Sequence, residues 1–146
     1  MKTLIRGRIL SFKREPLSID DLESFVYLED GFLLIENHKI VDIVKSDELP
    51  VHWEVVDCKD YRPYLVMPGF VDVHNHFPQL QVIASYGTQL MDWLKKYTFP
   101  EEAKFHDYDF SKMKADLFLQ TLINNGTTSS GSFCSVHKES VDALVK

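Results

Sequence analysis

A change of hydrophobic period near residue 66 limits the possible folds of this chain more than any other feature. Before that point, short apolar runs are separated by turn residues at strand-like spacing; beyond it, a strand leads through a long connection to a helix and a second strand. One layer of regular structure cannot satisfy both patterns. The chain therefore divides into a small β module over residues 1–66 and an α/β region over residues 67–146. No internal repeat, low-complexity tract or Gly/Ser linker lies between them, so the two are expected to follow each other directly.

Within the first part, Thr3 to Leu10 alternates weakly and is rich in branched side chains, as in a strand. Asp30-Gly31 reads as a turn, Phe32 to Glu36 as a short strand, Asn37-His38 as a hairpin turn and Lys39 to Val44 as the returning strand. After the polar stretch from Ser46 to Pro50, the residues Trp53 to Cys58 offer one more strand.

In the second part, Pro68-Gly69 precedes Phe70-Val71-Asp72-Val73-His74-Asn75-His76, a strand with an apolar interior and a polar end. The stretch from Phe77 to Asp109 is long for a connection, a property shared by lids and binding loops, and holds one helix around Gln89 to Lys96. Ala115, Phe118, Leu119, Leu122 and Ile123 recur on one face of a helix over 111–124, and Gly126 stops it in a left-handed cap. Thr127 to Phe133 then reads as a buried strand, and Ser140 to Lys146 as the start of another helix. Strand, helix, strand, helix is the rhythm of a parallel sheet.

Charge and cysteine content remove several classes of function. The chain has 146 residues with 16 Lys+Arg against 22 Asp+Glu, a net charge of −6, and its basic residues form only short clusters such as Lys13-Arg14 and Lys95-Lys96. Nucleic acid and acidic membranes are therefore not expected partners. Cys58 and Cys134 have no paired spacing, so neither a disulfide framework nor a cysteine metal site is indicated. The absence of a secretory pattern near the start and of any long apolar run favours a cytoplasmic protein.

The chemistry concentrates at the end of the strand Phe70 to His76. Alternate residues of a strand share a face, so Asp72, His74 and His76 point the same way and place two imidazoles side by side at its carboxyl end. Neutral imidazole is a good ligand for zinc and its neighbours, and a catalytic site needs about three protein ligands plus an open position. Asp72 could orient the site from behind. The competing reading is two ordinary half-buried histidines, but the position at the carboxyl end of a βα unit, before a long connection, favours ligation.

These residues resemble the amidohydrolase superfamily. Met67 to His76 is similar to that superfamily's first barrel strand, whose PG-x-(V/I)-D-x-H-x-H pattern supplies two metal ligands, and the preceding hairpin is similar to the small β-sandwich that comes before its barrel. The implied fold is α/β: a (β/α)8 barrel, of which only the first strands are present, preceded by a β-sandwich module. A narrower match, His76-Phe77-Pro78-Gln79 with Trp93-Leu94-Lys95-Lys96-Tyr97-Thr98-Phe99-Pro100-Glu101 and Asn125-Gly126-Thr127-Thr128, resembles the guanine deaminase family.

The resemblance implies zinc-dependent hydrolytic deamination of guanine to xanthine, with one zinc ion per subunit, iron being possible, and a homodimer. His74 and His76 would ligate the metal, and Gln79, with His76, would contact the purine; an amide suits guanine's mixed donor and acceptor edge. Members of that family add further histidines, an aspartate, a proton-shuttling glutamate and an Arg-Phe pair, none of which can be placed here, so no catalytic acid or base is assigned to this chain. A complete barrel needs about 250 residues, and the sequence reads as the amino-terminal part of a longer enzyme, inactive alone. The rivals are another amidohydrolase acting on a different heterocycle, a non-catalytic barrel scaffold that binds a partner, and a complete small domain.

Several residues have plainer readings. His38, His52 and His106 are expected at the surface, and His137 as a surface residue at a strand end, with a place at the site mouth as the alternative. Leu90, Trp93 and Leu94 read as the packed face of a short helix, Glu101-Glu102 as the first turn of a helix favoured by its dipole, and Cys134 as a packed thiol.

Overall fold

The structure, a computed structural model, describes residues 1–146, which divide into two compact units, Met1–Pro68 and Gly69–Lys146. The first unit is a four-stranded sheet in the order β3-β2-β1-β4, formed by β1 (Lys2–Phe12), β2 (Phe25–Glu36), β3 (Lys39–Lys45) and β4 (Cys58–Val66). β1 and β2 run antiparallel with Leu4 opposite Leu34, β2 and β3 form the hairpin, and β4 lies parallel to β1. Asn37 and His38 turn the hairpin with φ of 50° and 65°, the left-handed pair that a two-residue turn requires.

Asp30-Gly31 does not turn. Both residues continue β2, and Gly31 pairs with Gly7 across the ladder. A Cβ at Gly31 would stand 2.7 Å from Leu28 Cδ1 and 2.9 Å from the Val44 carbonyl oxygen. The glycine therefore marks a close approach between strands, a use of this residue that looks like a turn signal in the sequence. Asp30 beside it accepts two hydrogen bonds from Arg6, at 2.8 and 2.6 Å.

The unit has one sheet, where a sandwich has two packed together. Its second layer is the crossover from β3 to β4, which makes two short 3-10 turns, Ser46–Glu48 and Val51–Trp53, and lowers Trp53 onto Leu4, Phe32 and Leu34. Trp53 to Cys58 is consequently no strand: the chain turns so that the indole can reach the core, and β4 starts only at Cys58.

The second unit contains β5 (Phe70–His76) and β6 (Thr127–Phe133), paired in parallel. Everything between them is helical or turning. After the 3-10 stretch Phe77–Val82, a run of helix extends from Leu90 to His106 through α1 (Leu90–Trp93), a π-turn (Leu94–Thr98), α2 (Phe99–Glu102) and a 3-10 turn (Ala103–His106). α3 (Tyr108–Asn124) follows, and α4 (Lys138–Val145) comes after β6. Asp107 caps α3 by accepting a hydrogen bond from the Phe110 N–H at 2.9 Å, and Gly126, with φ of 80°, carries the chain out of it.

The core of this unit lies among the helices. Phe77, Phe105, Ala115, Phe118 and Ala143 are buried together, with Phe77 and Phe105 meeting edge to face at 5.1 Å. β6, expected to be buried, is mostly exposed, as are Phe70, Val71 and Val73 of β5. A parallel strand is buried when neighbours flank both edges and helices cover both faces; here each strand has one neighbour.

Candidate active site

The site is assembled at the carboxyl end of β5. The pleat brings the rings of His74 and His76 to one side with centroids 5.4 Å apart. β6 supports them from the adjacent strand: Phe133 pairs with His76 in the ladder, stacks on its imidazole at 5.0 Å and lies 5.4 Å from His74. Asn75, between the two histidines, donates to Ser130 Oγ at 2.7 Å and ties the strand ends together.

Asp72 serves the backbone. Its carboxylate accepts from the His74 N–H at 3.1 Å, and the Asn75 side chain together with that N–H holds its pKa below the usual carboxylate range. It thus braces the turn of the strand at His74, and its hydrogen bonding is to this local frame rather than to an imidazole nitrogen.

No cluster of three or more His, Cys, Asp or Glu side chains is gathered in the chain. The donor set at the strand end is two adjacent, exposed imidazoles, which suits two of the ligands of a zinc or iron ion.

Gln79 stands where the strand gives way to the 3-10 stretch. Its Nε2 donates to Glu102 Oε1 at 2.9 Å and lies 3.3 Å from His76 Nδ1, the longer and weaker of the two contacts. His76, Gln79, Asn75 and Trp93 border one cavity of about 390 Å³ closed on its apolar side by Leu80, Val82 and Phe118. Trp93 is fixed there by its indole N–H, which donates to the Ser85 carbonyl at 3.1 Å. Ala84, one residue earlier in the same wall, has φ of 62°, a strained conformation for a residue with a side chain.

Two plainer readings therefore change. Trp93 borders the cavity and Leu90 is exposed, so the helix around them does not present a simple packed face. The π-turn widens the helix between Trp93 and Pro100 and breaks the 3.6-residue period on which that reading depends. Glu102, expected only to favour a helix start, faces Gln79 from 23 residues away; only its place beside the Trp93-to-Glu101 motif hints at this in the sequence. Glu101 instead pairs with Lys104.

The remaining histidines stay apart from the pair. His137 sits at the amino-terminal cap position of α4 and its ring meets that of His106 at 6.0 Å, while His38 and His52 are exposed. Burial pushes the Cys134 thiol upward, as for a packed cysteine.

Residues 65–146 match the amidohydrolase family, and the chain belongs to it. Its relatives narrow the likeness. The chain is 36% identical over 145 residues to the guanine deaminase of Escherichia coli (strain K12), which covers 96% of this chain and 32% of that protein. It superimposes on the guanine deaminase structure from Bradyrhizobium japonicum with a TM-score of 0.91 at 28% identity, covering 98% of this chain and 31% of that one. The structure from C. acetobutylicum, a guanine deaminase with guanine bound in its active site, gives 0.82 at 29% identity, covering 99% and 32%. The chain thus spans about a third of the length of each of these relatives.

Proposed function

We propose that this chain carries part of the active site of a zinc-dependent guanine deaminase, which hydrolyses guanine to xanthine and ammonia in purine catabolism. The observation that carries the reading is the meeting of His76 and Gln79 on one cavity at the carboxyl end of β5, with His74 alongside. Residues 1–66 are read as the small β module of such an enzyme and residues 67–146 as the opening of its (β/α)8 barrel.

His74 and His76 would hold the metal. Bound there, zinc, or iron in its place, supplies the Lewis acidity that makes water nucleophilic at neutral pH. The other roles in this chain concern binding and orientation. Gln79 offers a hydrogen-bonding amide to the purine edge, and Trp93, Leu80 and Phe118 provide apolar walls that exclude water around a flat ring. His76 borders the same space and so contacts the substrate as well as the metal. No residue of this chain is assigned the proton transfer to the leaving nitrogen. A homodimer in the cytoplasm completes the reading.

The test is ammonia release from guanine by the protein loaded with one equivalent of zinc, compared with a His74→Ala variant. Release that the substitution abolishes supports both the reaction and the ligand. A folded, zinc-loaded protein that leaves guanine untouched discards this substrate and directs attention to other heterocycles.

A further inference from the structure

We propose that Glu102 is a positioning residue that fixes which end of the Gln79 amide faces the cavity, and that the segment Trp93 to Glu102 is the strut that holds it there. A carboxylate only accepts hydrogen bonds, so the group that meets Glu102 Oε1 at 2.9 Å must be the amide nitrogen of Gln79. Both contacts of that side chain run through Nε2, to Glu102 and to His76, and Oε1 diverges from them uncommitted. An amide that could present either a donor or an acceptor is thereby set to present an acceptor. Resting on the reading of Gln79 as a purine contact, this favours a ring edge that carries an N–H, as guanine does, over one with a bare ring nitrogen.

The helical run supplies the architecture. Trp93 and Glu102 belong to one continuous stretch of it, and both reach the side of the cavity that holds Gln79. Pro100, in the first turn of α2, lacks the N–H that a regular helix would use and crowds the preceding carbonyls. The turn immediately before it is π rather than α, spanning Leu94–Thr98. A π-turn inserts a residue into the helical count and rotates the residues beyond it, so the proline and the widened turn together set the angle at which Glu102 meets Gln79. The Trp-Leu-Lys-Lys-Tyr-Thr-Phe-Pro-Glu-Glu run thereby acquires a physical role, with one end lining the cavity and the other orienting the amide.

The test reads the amide directly and then its effect on substrate. In the protein labelled with nitrogen-15, the Gln79 side-chain resonance, identified by its loss in Gln79→Ala, is expected to show slowed amide rotation and a displaced proton shift. Both features should collapse in Glu102→Ala and weaken in the isosteric Glu102→Gln. With guanine, Glu102→Ala should raise KM about tenfold, the scale of one charge-assisted hydrogen bond, with a much smaller change in kcat. Adding it to Gln79→Ala should cost nothing further. A Gln79 resonance unmoved by either Glu102 variant overturns the proposal, and so does an equal loss from Glu102→Ala with and without Gln79. If the wild-type protein does not turn over guanine while the Gln79 resonance still responds to Glu102, the positioning role stands and the proposed substrate falls.

Discussion

The two units each contain a sheet, a tryptophan and a buried aromatic cluster, but the sheet serves a different purpose in each. In residues 1–68 the four strands are the core: β2 is buried from Gly31 to Leu34, and Trp53 closes one face. In residues 69–146 the two strands are largely exposed, and the buried aromatics Phe77, Phe105 and Phe118 come from the helical connection and α3. The tryptophans follow suit, Trp53 at 4% exposure within a core and Trp93 half-buried at the cavity wall. The strands presenting the histidines therefore owe their placement to the helices beside them.

Substitutions can separate the units one at a time, with Trp53 and Trp93 as distinct fluorescence reporters. The largest effect is expected from Phe105→Ala, which empties a fully buried ring position in the helical core and should cost about 3–5 kcal/mol. Denaturant unfolding should show the Trp93 transition moving far ahead of the Trp53 transition; coincident movement of both would refute an independent helical core. Gly31→Ala comes next, since its methyl would meet the Val44 backbone oxygen and Leu28; about 1–3 kcal/mol should be lost, seen at Trp53 first. Removal of the α3 cap in Asp107→Ala should cost about 1 kcal/mol, seen at Trp93 and accompanied by a small loss of helical circular dichroism.

The smallest effect is electrostatic and belongs to the first unit. Hydrogen bonds from Arg62, through its side chain and then its backbone N–H, hold the Asp60 pKa at about 2. A carboxylate whose folded pKa is depressed stabilises the fold above its unfolded pKa of about 3.9 and loses that contribution as pH falls through the folded value. Between pH 4 and 2 the Trp53 transition should therefore weaken more in the wild type than in Arg62→Gln. Because Asp60 is exposed to solvent, the difference should be slight and should shrink with added salt. Equal pH dependence in the two proteins would remove the ion pair from the account.

Local signals were legible in the sequence. The α3 helix was visible from Phe118, Leu122 and their neighbours, with Gly126 ending it, and the Phe70-to-His76 strand was visible from its alternation; the structure adds the Asp107 cap. The hairpin at Asn37-His38 was equally clear. What failed depended on partners far away in the chain. Asp30-Gly31 has the composition of a turn, yet its glycine answers to Leu28 and Val44 across the sheet. The apolar Trp53-Val55-Val56 run has the composition of a strand, yet the indole is needed beneath the sheet. Likewise, the two candidate ligands could be read from a two-residue spacing, whereas Glu102 could not, because no periodicity connects it to Gln79.

The stacking of Phe133 on His76, at 5.0 Å and 17° between planes, gives the molecule a built-in gauge of strand register. An imidazole under an aromatic face lies in its ring current, so the carbon-bound protons of His76 should resonate upfield of those of an open histidine. Sliding β6 by one residue would put Ser132 or Cys134 opposite His76 in place of Phe133 and erase that displacement. One proton signal from His76 thus reports whether the pair of strands is aligned to bring the two imidazoles together.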